Sequence, residues 1–101
     1  MDFYFAITNS MIEKYGMPEN IDGTYNWKLS NDFLYYVLAD SSGKLLDLIN
    51  RYQKEYWAKV PFTICKGSID NGDAIEVLRA CMVGDSMRSL NVIVSEMTEI
   101  K

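Results

Sequence analysis

DFLYYVLA, residues 32–39, is the stretch on which the fold turns. Two patterns compete within it. Phe33 with Val37 and Leu34 with Leu38 lie four apart, as on one face of a helix capped by Ser30 or Asn31. The Tyr-Tyr-Val centre, coming after a short polar turn, fits the second arm of a hairpin whose first arm is the segment before it. We read it as a strand. Tyr35 and Tyr36 then point to opposite faces, and one of them leaves the main core.

The neighbouring segments set the context. Upstream, Tyr25, Trp27 and Leu29 alternate with Asn26, Lys28 and Ser30, the period of a half-buried strand. Residues 16–23, GMPENIDG, are rich in turn formers and are expected to be the most mobile loop. Residues 2–8, DFYFAIT, carry Phe3, Phe5 and Ile7 on one face and Tyr4, Ala6 and Thr8 on the other, which suits an interior strand. A short helix from Met11 to Tyr15 follows, capped by Asn9 or Ser10 and stopped by Gly16 and Pro18.

Downstream, Ser41-Ser42-Gly43 breaks the pattern and residues 44–59 read as a helix. Leu45, Ile49, Tyr52 and Tyr56 keep helical spacing with Leu48 beside them, while Asp47, Arg51, Glu55 and Lys59 form a ladder of opposite charges on the solvated face. Pro61 ends it. Phe62 and Ile64 alternate with Thr63 and Cys65 in a short strand, and residues 66–72 read as a loop. Asp70 or Asn71 then caps a helix from about Asp73 to Met82, with Gly84 as its stop. Residues 90–97 close the chain as a strand, with Leu90, Val92 and Val94 facing one way and Ile93 and Met97 the other.

With 32–39 as a strand, the order is β-α-β-β-α-β followed by a C-terminal α-β. The expected class is α+β: one small domain over residues 1–101, with a mixed or antiparallel sheet and two or three helices. The first six elements resemble the ferredoxin-like split βαβ order, in topology and not in any family signature.

At 101 residues, 49% hydrophobic and 24% charged, the chain has the make-up of a folded globular domain. Fourteen acids against ten bases give a net charge of −4, and no two basic residues are adjacent. Phosphate backbones and anionic lipid both need clustered cations, so direct nucleic-acid and membrane binding are not expected. No apolar stretch approaches the roughly 20 residues that span a bilayer. The cytoplasm is the expected location, or the host cytoplasm for a phage-encoded chain.

Histidine is absent. That removes nucleophile systems needing an imidazole and the usual His/Cys zinc sites, since Cys65 and Cys81 are too few ligands. No metal and no cofactor are expected. The cysteines read as buried free thiols; Cys65 precedes Lys66, a weak cue for a lowered pKa. Asp70, Asp73 and Glu76 are the tightest acidic group, but they lack the ligand order of a calcium loop and better suit the positive end of a helix. K-G-S-I-D-N-G-D, residues 66–73, matches neither glycine-rich phosphate-binding pattern.

The aromatics point elsewhere. Trp57 lies about 100° around the helix from Tyr56 and so falls at the edge of the buried face or is exposed. Tryptophan and tyrosine are enriched at protein interfaces. Trp57, Tyr35 and Tyr36, with Asp70, Asp73 and Glu76, are the candidate partner-binding residues. The expected function is therefore non-enzymatic: a small acidic protein-binding domain, such as an inhibitor, immunity protein or phage anti-defence factor, that blocks a basic surface of another protein. A self-assembling structural or accessory subunit, a homodimer for example, is the alternative. A small-ligand binder is the third reading.

Overall fold

The computed structural model describes residues 1–29, 37–52, 60–70, 72, 73, 75, 76, 79 and 90–100. β1 (Asp2–Thr8) has Phe3, Phe5 and Ile7 buried on one face and Ala6 and Thr8 on the other. A strand sealed on both faces belongs inside a sheet. It lies between β3 (Val37–Ala39) and β4 (Phe62–Ser68), antiparallel to both. β2 (Tyr25–Leu29) and β5 (Leu90–Ile100) complete a five-stranded antiparallel sheet in the order β2-β5-β4-β1-β3. With its helices it forms the expected small α+β domain.

Each face of the sheet has its own core. On the front, Phe3, Phe5, Ile7, Trp27, Leu38, Cys65, Ile69, Val92 and Val94 pack together, with Met11 and Ile12 of α1 (Asn9–Tyr15) against them. Residues 72, 73, 75, 76 and 79 are helical, and Ile75 packs on the same cluster. On the back, Ala6, Ala39, Phe62 and Ile64 meet Leu45 and Ile49 of α2 (Ser42–Tyr52). The Ser41 hydroxyl accepts the Lys44 N–H at 3.2 Å and caps α2, and the expected Asp47–Arg51 pair is present at 3.0 Å. Glu55 and Lys59 lie outside the described residues.

The strand reading of 32–39 holds at Val37–Ala39; residues 32–36 lie outside the described residues. The expected hairpin is not formed. β3 pairs with β1 and β2 pairs with β5, so these consecutive strands sit on opposite edges of the sheet. The chain keeps the β-α-β-β-α-β order without the hairpin pairing that was expected from it. Alternation fixes which face of β2 is covered, Trp27 buried and Tyr25 half-buried against exposed Asn26 and Lys28, but not which strand it meets. Trp27 packs with Val92 and Val94 in the front core, and that packing goes with pairing to β5.

Four boundaries also differ from expectation, the first being α2, which begins at Ser42 and not at Lys44. α1 begins at Asn9, and its N-cap Thr8 makes no side-chain capping bond. β4 runs on through Lys66 and Gly67 to Ser68. β5 extends to Ile100, with a bulge where Lys66 pairs with Glu96 but Gly67 pairs with Val94. The extra residue, Ser95, reverses the facing of everything after it. Met97, paired with Cys65, therefore joins the Val94 face and not the Ile93 face.

Gly67 continues the strand because Phe3 needs the space. A Cβ built at Gly67 would stand 2.8 Å from Cζ of Phe3 and 3.0 Å from Cε1, and the Phe3 side chain is fully buried. Gly67→Ala is expected to destabilise the fold by about 1–3 kcal/mol through overpacking. Phe3→Leu should recover part of that loss in the double variant, which urea melts of the four proteins will show.

Candidate interaction surface

Every acidic side chain among the described residues is exposed. Two features organise them: a groove beside α1 and the loop that follows it.

The groove, about 360 Å³, is lined by Asn9, Ile12, Glu13, Thr63, Met97 and Glu99. Asn9 fixes its geometry. Its amide Nδ2 donates to Glu99 Oε1 at 3.0 Å, and its Oδ1 accepts from the Thr63 hydroxyl at 2.6 Å. Expected as a helix cap, Asn9 instead joins the start of α1 to β4 and β5. Ile12 and Met97 supply apolar surface and Glu13 and Glu99 supply charge, with Met97 40% exposed.

Residues 16–23, expected to be the most mobile loop, are closely hydrogen-bonded among themselves and to Thr24 and Asn26. Asn20 N–H donates to the Thr24 carbonyl at 2.7 Å, Gly23 N–H to the Asn20 carbonyl at 3.1 Å, and Asn26 N–H to the Pro18 carbonyl at 2.9 Å. Glu19 bridges to Tyr25. Side chains tighten the turn: Asn26 Nδ2 donates to Asn20 Oδ1 at 2.8 Å, and the Thr24 hydroxyl to Asp22 Oδ1 at 2.6 Å. Gly16 and Gly23 take φ of 72° and 85°, which residues with a side chain rarely adopt. At the tip, Ile21 stands fully exposed, at 110% of its reference area. The Thr24 hydroxyl and then the Thr24 N–H hold the Asp22 carboxyl below the usual carboxylate range, so it stays ionised beside Ile21.

The residues singled out from sequence fall differently. Trp57, Tyr35 and Tyr36 lie outside the described residues. Asp70, Asp73 and Glu76 are exposed, Asp73 and Glu76 at helical positions, and none of the three lines the groove. Among the described residues, no three acids, cysteines or histidines gather closely enough to hold a metal ion. Cys65 is buried and free, and burial pushes its thiol up to about 12, against the cue from Lys66. Among the described residues, no helix is long and apolar enough to cross a membrane.

No protein-family model, curated protein or solved structure matches this chain. The surface has to be read from its own chemistry.

Sequence reading missed Asn9, Glu13, Ile21, Met97 and Glu99. For Ile21 a signal existed: an isoleucine in the middle of a polar turn segment belongs to no apolar period. For the groove none did, because a bulge decides which way Met97 and Glu99 face.

Proposed function

We propose that this chain is a non-enzymatic protein-binding domain that acts by contact, as an inhibitor, immunity protein or phage anti-defence factor does, covering a basic surface of its partner. The observation that carries the reading is the loop holding Ile21 in water between the acids Glu19 and Asp22. A lone exposed aliphatic side chain is ordinary. Here, though, the backbone beneath it is held by the Asn20–Thr24 and Asn26–Asn20 bonds, none of which serves the core. A pre-ordered backbone loses little entropy on docking, so the apolar area it presents counts toward affinity. The flanking charge favours a basic rim around the receiving pocket. Between Lys14 and Lys28 the chain has acids and no cation, which steers encounter with a positive partner.

The test is affinity capture from the natural host background with identification of what is retained, run in parallel with Ile21→Ala. Truncating a contact anchor of this kind removes about 1–2 kcal/mol or more of binding energy. The retained protein is expected to be basic, to associate more slowly as salt rises, and to bind Ile21→Ala at least about fivefold more weakly. A partner held equally well by both forms, at a rate indifferent to salt, would remove the basis for the reading.

A further inference from the structure

β5 is eleven residues long, but its two neighbours cover different lengths of it. β4 pairs with it from Ile93 to Ile100, whereas β2 pairs only from Leu90 to Val94. From Ser95 to Ile100, among the described residues, β5 has a strand on one side and none on the other. Backbone N–H and C=O groups alternate sides along a strand, so this stretch presents a row of them for a further strand. Glu96, Met97, Thr98 and Glu99 are all exposed, and the groove with Ile12 and Glu13 lies against the same stretch on the front face.

We propose that the free half of β5 takes up an extended segment of the partner protein by strand addition, antiparallel like the rest of the sheet, and selects a segment with cations at its first and fourth positions and an apolar residue at its third. The pattern follows from the register. An antiparallel strand places its residues in turn opposite Glu99, Thr98, Met97 and Glu96. The first and third share the groove face with Glu99 and Met97, and the fourth meets Glu96 on the back. Opposite charges across a strand pair are favourable and like charges are not.

That charge pattern also selects against a second copy of this chain as the added strand. Residues 90–100 contain two glutamates and no cation, so self-pairing would gather the glutamates of both copies along one ladder. Charged edges of this kind are a known defence against sheet-to-sheet association. The proposal rests on the protein-binding reading above, with a basic partner, and adds how the partner is held.

The probe is a capped peptide, Thr-Lys-Thr-Val-Lys-Thr, titrated into the whole chain and followed by amide shifts in nuclear magnetic resonance. The shifts are expected to concentrate on residues 95–100. Replacing both lysines by glutamate, or Glu99 by lysine (Glu99→Lys), should weaken binding by about tenfold or more. N-methylation of alternate peptide amides should abolish binding in one frame and leave it nearly unchanged in the other, because only one set of amides faces β5. Purely electrostatic attraction would respond to both frames alike. Shifts elsewhere, equal tolerance of the two methylated frames, or a stable dimer of the free chain paired through residues 95–100 would each overturn the proposal. If capture of the natural partner is lost with Ile21→Ala but untouched by Glu99→Lys, strand addition fails while the protein-binding reading stands.

Discussion

Replacing Phe5 with alanine is expected to remove much of the chain's folding stability and to lower its melting temperature by tens of degrees. Phe5 is completely buried in the middle of β1, with Cys65 and Leu38 as its register partners. Its ring stacks on Phe3 at 5.7 Å between centroids and an interplanar angle of 27°. Truncation removes the ring's burial and leaves a cavity on the front face of a strand already paired on both sides. Core Phe→Ala changes cost about 3–5 kcal/mol. Whole domains have about 5–15 kcal/mol in total, and a chain of this size lies toward the lower part of that range. Each kcal/mol lowers the melting temperature of such a domain by about 4–8 °C, so the expected shift is tens of degrees. Phe5→Leu keeps most of the apolar volume and should fall between. Urea and thermal melts by circular dichroism check the series. A loss below about 1.5 kcal/mol for Phe5→Ala, the range of volume-conserving swaps, would mean that the front core is not closed around this ring.

Phe5 also shows where the sequence was legible. Apolar residues on both faces of 2–8 call for cover on both sides of the sheet, and β1 has it between β3 and β4. Alternation in 25–29 likewise announced a strand with one covered face. What alternation does not encode is which strands meet. β2 and β3 are consecutive and looked like two arms of a hairpin, yet β2 ends beside β5, more than sixty residues away, and β3 beside β1. Which strands meet is a property of the assembled sheet. Gly67 misled for a related reason. In isolation Lys-Gly-Ser ends a strand, but the Phe3 ring across the ladder makes glycine the fitting residue there.

The candidate surface was less legible still. Asn9 has the side chain of a helix cap, and only the fold brings Thr63 and Glu99 to it, the latter ninety residues away. Glu99 and Met97 share a face with the front core because Ser95 is bulged out, and a strict period of two assigns Met97 to the wrong side. Ile21 was visible in outline. An apolar residue flanked by Asn20 and Asp22 contradicts its own neighbourhood, and such local contradictions are where function is worth seeking.

Alkaline conditions are expected to destabilise the chain through Cys65. An unperturbed cysteine titrates near about 8.5, whereas burial pushes Cys65 up to about 12. Above the lower value the unfolded chain releases the thiol proton and the folded chain keeps it. The folded state then binds more protons, and stability falls as pH rises, by about 1.4 kcal/mol per pH unit until the folded thiol titrates too. Below about pH 8.5 this contribution is complete and flat. Tyrosines and lysines titrate in the same window, so the comparison must remove one group alone. Urea melts of Cys81→Ala and Cys65→Ala/Cys81→Ala from about pH 8 to pH 11 do this, since only the first retains the buried thiol. The Cys65→Ala protein starts less stable and should lose less with pH, so the two lines converge. The same burial sets the chemistry of the group. At about pH 8 a thiol titrating near 12 is ionised to about one part in ten thousand, against about a quarter for a free one, so alkylation in the folded state should be slower by a thousandfold or more. Parallel stability lines together with rapid alkylation would show a thiol reachable by water. Cys65 would then regain a claim to nucleophilic chemistry that its place among Phe5, Met97 and the front core otherwise denies it.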